Sequence, residues 1–265
     1  ALFASRLSIR HEKVAFRNAS QAHNFGVGLA RGEWVGFPDD DCQLLPDALA
    51  AAAPLLKRKE LQLVTGRTVD AKGRPSVLRW KPTAGPFGPS GMFGRLTCAT
   101  LFVRRSSFLD AGGFDPRFGP GGPFPSAEEF DLATRLFERP EAGTAWYAPA
   151  IRMQHPDKVP PWTLWAARRM HDYAFGAGAW VAKHRQPRHF IWLARTLVAS
   201  TVQSLSLPPW RSASYLMRLW GVLRGYLEAA GLRPTWYPST IHRLLRLKLR
   251  RERDLERCEE TAQTA

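Results

Sequence analysis

The chain has 265 residues, 45% of them hydrophobic, which supports one large core or a core with an appendage and excludes a disordered chain. Its formal charge of +15 is uneven: residues 1–160 hold 21 Lys and Arg against 16 Asp and Glu, whereas residues 161–265 hold 17 against 7. A basic second part suits anionic lipid, anionic glycan or nucleic acid without choosing among them.

In chain order, short β-type runs ("EWVGFP", "LQLVTGR", "LTCATLFVRR", "TAWYAPAIRMQH") alternate with helical or loop segments up to about residue 155. That rhythm predicts an α/β sheet. The stretch "NFGVGLARGE" reads as a helix led by Asn24, and "EWVGF" after it as a buried strand. Asp39, Asp40 and Asp41 then leave that strand at its carboxyl end. Three adjacent carboxylates repel one another unless a cation or water sits among them. Open α/β sheets bind ligands at that edge, and hard carboxylate oxygens there suit Mg²⁺ or Mn²⁺ bridging to nucleotide phosphates. A solvated acidic turn is the plain alternative. Cys42 follows at once, but with Cys98 and Cys258 it makes an odd set without ligand-type spacing, so neither a disulfide framework nor a zinc site is expected. A reducing compartment fits.

A second acidic cluster lies in "FGPGGPFPSAEEFDLATRLFERP". Residues 119–125 are Gly, Pro and Phe and form no regular element, and Ser126 is expected to start a helix with Phe130, Ala133 and Phe137 on one stripe. Two roles compete for the acids. Ser126 through Glu129 spell a capping box, and Asp131 with Arg135 an ordinary i, i+4 pair. Alternatively, a carboxylate in the first turn after a mobile Gly-rich loop is what a general base requires.

After Pro160 and Pro161 the sequence turns helical, with breaks at "RQPRHF", "SLPPW" and "GLRPTWYP". The expected division is therefore 1–158 and 159–265. Gly176 and Gly178 read as small residues for close helix packing rather than a dinucleotide loop, since no strand precedes them. "HFIWLARTLVASTVQSLSL" holds Arg195 and reads as an amphipathic or core helix, not a span. No secretory leader opens the sequence. Trp192, Trp210, Trp220 and Trp236 among Arg188, Arg195, Arg211, Arg218 and Arg224 suit either a membrane interface or ordinary packing. Residues 241–255 read as a basic amphipathic helix or a frayed end. No nucleic-acid motif appears, and the charge lies away from the acids, so no nucleic-acid partner is expected.

Taken together, "NASQAHNFGVGLARGEWVGFPDDDC", "LTCATLFVRRSSFLDAGGFDPRFG", "AEEFDLATRL" and "IRMQHP" resemble, in order and spacing, the family 2 glycosyltransferases of the GT-A fold over residues 17–156. The resemblance implies a Rossmann-like mixed sheet with helices on both faces, followed by a mainly helical C-terminal region. It implies that Asp39 and Asp41, with Asp40 between them, hold a divalent ion and the donor's ribose and diphosphate. Glu129 falls where the acceptor's base stands, one carbon longer than the commoner Asp, and Glu128 is the fallback. Gly112, Gly113, Phe114 and Asp115 match the segment that shapes the acceptor side, and His155 is placed to complete the metal or diphosphate site. Lys183 and His184 match a Lys-His pair that ends the segment after the core in bacterial members.

The implied activity is inverting, metal-dependent transfer of a sugar from a nucleotide-diphosphate sugar to an envelope or lipid-linked glycan. The implied location is the cytoplasm, peripheral to the inner face of an anionic membrane. Relative to such enzymes about 50 residues of a typical plan, the strand and loop that cradle the donor base, are expected to be missing from this sequence. A noncatalytic relic or scaffold is the serious rival for that reason. A metal-dependent nucleotidyltransferase is the weaker one, because no P-loop is present.

Overall fold

The computed structural model describes residues 8–139, 143–156, 161–205 and 208–232. Residues 1–230 form one compact unit. The helix expected over 241–255, Trp236 and Cys258 lie outside the described residues.

The first helix, α1 (Ala19–Leu29), starts where Asn18 accepts the amide of Gln21 at 2.9 Å, a cap contributing about 1 kcal/mol. Asn24 therefore does not lead the helix: it sits in its middle, because Asn18 offers the cap one turn and a half earlier. Strand β1 (Trp34–Gly36) follows, then β2 (Gln43–Leu44), α2 (Ala48–Leu56) and the long β3 (Leu61–Val69). Next come β4 (Gly85–Phe87), β5 (Leu101–Arg104), α3 (Arg105–Asp110), α4 (Glu128–Phe137) and β6 (Thr144–Gln154). Only the second half of "LTCATLFVRR" is strand, since Cys98–Thr100 make a 3₁₀ turn.

The strands form one mixed sheet in the order β1-β5-β3-β6-β2, with β4 also on β6. The β3–β6 pair is parallel and the others are antiparallel. β3 is buried along almost its whole length, as a continuous apolar run in a central strand requires. Helices cover both faces. On one, Ala52 of α2 packs with Leu61, Val64 and Ile151. On the other, Val27, Phe108, Leu132 and Leu136 from α1, α3 and α4 meet Leu63, Leu101, Val103 and Tyr147.

Three helices complete the described chain: α5 (Leu164–His184), α6 (Pro187–Leu205) and α7 (Pro209–Ala229). The breaks fall where Pro187 and Pro209 start new helices, as expected. α5 adds Ala179, Trp180 and Val181 to the sheet-facing core. Glycines let α5 and α7 touch backbone to backbone. A Cβ on Gly178 would lie 2.1 Å from the Val222 carbonyl oxygen, and one on Gly225 1.9 Å from that of Phe175. The small-residue reading of this stretch holds. Trp192 is packed rather than exposed, stacking on Phe93 at 5.0 Å. No described helix is long and apolar enough to cross a membrane.

Candidate active site

β1 ends at Gly36, and the chain passes through the buried Phe37 to Asp39–Asp41. Phe37 stacks on Phe108 and meets Phe114 edge-on, so an aromatic cluster fixes the point from which the acids leave. β6 delivers His155 to the same place: its amide bonds the Val69 carbonyl at 3.0 Å, and the ring is buried. His155 Nδ1 lies 2.8 Å from the Pro156 carbonyl oxygen. A carbonyl only accepts, so Nδ1 carries the proton and Nε2 presents its lone pair.

That lone pair lies 3.8 Å from Asp39 Oδ2 and 3.7 Å from Asp41 Oδ1. Both separations are too long for hydrogen bonds. Two ligands about 2.1 Å from one ion sit roughly 3 to 4.2 Å apart, so the spacing fits a shared cation. Cys42 belongs to the group as well: one ligand atom from each of Asp39, Asp41, Cys42 and His155 lies within 4.8 Å of the others. Sequence reasoning passed over Cys42 because its thiol has no partner cysteine at ligand spacing. Only the sheet brings His155 to it.

The second acidic cluster, Glu128 and Glu129, opens α4. The expected capping box does not form. Ser126 Oγ instead donates to the Tyr173 carbonyl of α5 at 2.8 Å, and Ala127 takes a left-handed conformation with φ 70°. The helix consequently starts at Glu128, and neither acid is spent on a Ser126 amide. The backbone amides of Glu129 itself and of Cys98 pull the Glu129 carboxyl down, against its burial. Glu128 is buried, and its Oε2 has no hydrogen-bond partner.

Burial, with a smaller push from ionised Asp39, raises the Glu128 carboxyl to about 7. Burial first, then Glu128 and Asp39, raises Glu129 well above the usual carboxylate range. The charge of Asp39 acts on both glutamates, so the two acidic clusters read separately in the sequence converge in space. Tyr173 joins them. The residue is half exposed, yet its phenol is raised by desolvation of the hydroxyl and by the same three carboxylates, and it accepts a 2.6 Å bond from Arg169. No sequence signal marked Tyr173 or Arg169, an i, i+4 pair on a helix far along the chain.

The Gly-Gly-Phe-Asp segment is clamped by Asn24. Its Oδ1 accepts the Phe114 amide and its Nδ2 donates to the Phe114 carbonyl, both at 2.8 Å. Gly113 has φ 71°, and a Cβ there would lie 2.6 Å from Asn24 Oδ1, so glycine is needed for conformation and for space. Gly112 shares the turn with φ 80°. Phe114 is buried in the aromatic cluster and supports the strand end from below. Asp115 is held low by bonds from Arg117 and Lys183 in spite of partial burial.

The loop after it is less free than its Gly and Pro content implies. Asn18 Nδ2 donates to the Pro116 carbonyl, Ser20 Oγ to that of Phe118 and the Ala19 amide to that of Pro120. Asp131 of α4 is fully buried and bonded by Arg135, Lys183 and His184, so the expected i, i+4 pair is one arm of a larger network.

Residues 3–106 match the family model described as Glycosyl transferase family 2. The matched stretch contains Asp39–Asp41 and ends in α3, before the acid pair and His155. Among solved structures, S. aureus TarS is similar over 87% of this chain and 46% of that one, at 13% identity and a TM-score of 0.50. This chain therefore spans less than half of that protein's length. TarS 1-349 in complex with UDP is 16% identical, with 87% and 75% covered and a TM-score of 0.47. The mannosyltransferase PcManGT from Pyrobaculum calidifontis, in complex with GDP-Man and Mn²⁺, is 17% identical, with 86% and 67% covered and a TM-score of 0.45. At such identities the TarS likeness shows the fold, and the fold is GT-A. No curated protein matches the chain.

Proposed function

We propose that this chain is a family 2 glycosyltransferase that moves a sugar from a nucleotide-diphosphate sugar to a hydroxyl of an envelope or lipid-linked glycan, with inversion. The observation that carries the reading is the convergence of Asp39, Asp41 and His155 with Glu128 and Glu129 at one sheet edge. The donor set fits Mg²⁺ or Mn²⁺, and a bound ion supplies positive charge against the departing diphosphate.

In this reading Asp39, Asp41 and His155 hold the ion, with Cys42 beside them, and Asp40 joins them on the donor side. Glu129 takes the proton from the attacking hydroxyl, and Glu128 is the alternative base. A base across the ring from the leaving group gives inversion in one displacement. Gly112, Gly113, Phe114 and Asp115 shape the acceptor side through a backbone fixed by Asn24. In this reading residues 1–158 are the catalytic domain and residues 159–265 a second region, of which α5 packs on the sheet-facing core. The enzyme works in the cytoplasm, peripheral to the inner face of the membrane, where lipid-linked acceptors and cytoplasmic nucleotide sugars meet.

The test is turnover of a panel of nucleotide sugars with Mn²⁺, read as nucleoside diphosphate release. Asp41→Asn and Glu129→Gln should each lower the rate about 100-fold or more. Parent-like rates in both variants would overturn the reading.

A further inference from the structure

α6 carries apolar residues on two faces: Trp192 and Leu193 pack on the sheet-facing core, and a second set faces outward. Its Ile191, Val198, Val202 and Leu205 are 55%, 65%, 59% and 83% exposed, whereas His189, Thr196 and Ser200 are buried. At 100° per residue the four aliphatics fall on a single stripe, and Arg195 lies on the same stripe, also exposed. A helix that only packs on a globular core keeps its outer face polar. The inward polarity is not explained by internal bonding, because the Ser200 hydroxyl and both ring nitrogens of His189 lack partners. The next helix, α7, begins with Trp210, 56% exposed.

The charge pattern says what covers this stripe. α6 contains Arg188 and Arg195 and no Asp or Glu, and α7 holds Arg211, Arg218 and Arg224 before its first acid at Glu228. A second copy of the chain meeting this face about a twofold axis would bring Arg195 toward Arg195, which repels. An anionic bilayer offers hydrocarbon to the aliphatics, headgroup depth to the indole and negative charge to the guanidiniums. α6 is not apolar enough to cross, so the fitting geometry is a helix lying in the interface plane.

We infer that the outward stripe of α6, Ile191, Arg195, Val198, Val202 and Leu205, docks the protein on anionic membrane. This rests on the peripheral-membrane part of the function proposed above and not on its chemistry. The proposal names the docking element and its orientation. It predicts that binding depends jointly on aliphatic insertion and on ionic strength.

The test is flotation of the full chain, without donor, on vesicles of phosphatidylglycerol and phosphatidylethanolamine and on neutral phosphatidylcholine vesicles. The expected result is binding to the anionic vesicles alone. A Val198→Asp, Val202→Asp double variant should lose it by 10-fold or more, and Arg195→Glu severalfold, with Mn²⁺ binding retained in both as proof of an intact fold. A parent that fails to float overturns the inference and the peripheral-membrane reading together. Variants that float like the parent overturn the inference alone. A parent dimer that the double variant dissociates, with no flotation, assigns the stripe to a contact between copies and also overturns it.

Discussion

Lys183 of α5 and Asp131 of α4 form an ion pair in which the carboxylate is wholly buried, and the same ammonium bonds Asp115 at 2.9 Å. One cation thereby fastens the helix bearing the acid pair, the Gly-Gly-Phe-Asp segment and α5. Replacing it strands a buried charge. Arg135 and His184 still bond Asp131, so Lys183→Met should cost about 2 to 3 kcal/mol, below the range for a fully orphaned ion. Thermal unfolding measures it, and an unchanged Tm would remove the network from the account.

Glu128 supplies a pH signature. Its carboxyl is raised to about 7 in the folded chain, so the native state binds more protons than the unfolded one between its ordinary value near 4.5 and 7. Stability from this group therefore falls as pH rises through that window. Glu128→Gln removes the penalty and should stabilise the fold at pH 8 by roughly 2 to 3 kcal/mol, while activity, which needs an ionised acid pair, declines. A cation beside Asp39 offsets part of the cause, so the activity midpoint should lie below 7. Chemical denaturation at pH 5 and pH 8 checks the sign.

His189 works in the opposite direction. Burial, then the charges of Arg188 and His184, lower its imidazole to about 4. The unfolded chain binds this proton first, so stability is lost as pH falls from about 6.5 toward 4. His189→Gln should flatten the acid limb of a Tm-against-pH curve. A parent-like acid limb would contradict the burial argument.

The α5–α7 crossing admits no side chain at its glycines. Gly225→Ala would put a methyl 1.9 Å from the Phe175 oxygen, and separating two 21-residue helices should cost about 2 to 3 kcal/mol or more. Gly28→Ala in α1, where nothing lies within 4 Å of the added carbon, is the control. It should stabilise by about 0.5 to 1 kcal/mol. Equal effects of the two changes would contradict the close crossing.

The parts of this fold legible in the sequence are those fixed by local pattern. β3 announces itself as "LQLVTGR", and the helix breaks by Pro187 and Pro209. The strand-end acids are visible because three carboxylates in a row need a reason. Other features depend on distant partners. Ser126 reads as a cap, yet its hydroxyl is taken by Tyr173, 47 residues on, and Ala127 turns left-handed at the junction. Asn24 reads as the start of a helix, whereas its use is to clamp Phe114, 90 residues away. Cys42 joins a ligand group only when β6 brings His155 beside it. The outward apolar stripe of α6 is hidden because its residues look like a core face until their exposure is known.

Cys42 refines the metal prediction. A thiolate favours softer ions and adds little for Mg²⁺. Cys42→Ser should weaken Zn²⁺ or Cd²⁺ binding about 10-fold or more and leave Mg²⁺ nearly unchanged, as read by calorimetry. An equal loss for both ions would place the thiol outside the ligand set.

The most direct test of the central claim is Mn²⁺ titration of the full chain, followed by electron paramagnetic resonance of the free ion, with and without UDP or GDP. The account predicts one bound ion per chain, tightened by a nucleoside diphosphate and abolished by Asp41→Asn. Absence of binding in the parent, or equal binding in the variant, would contradict it.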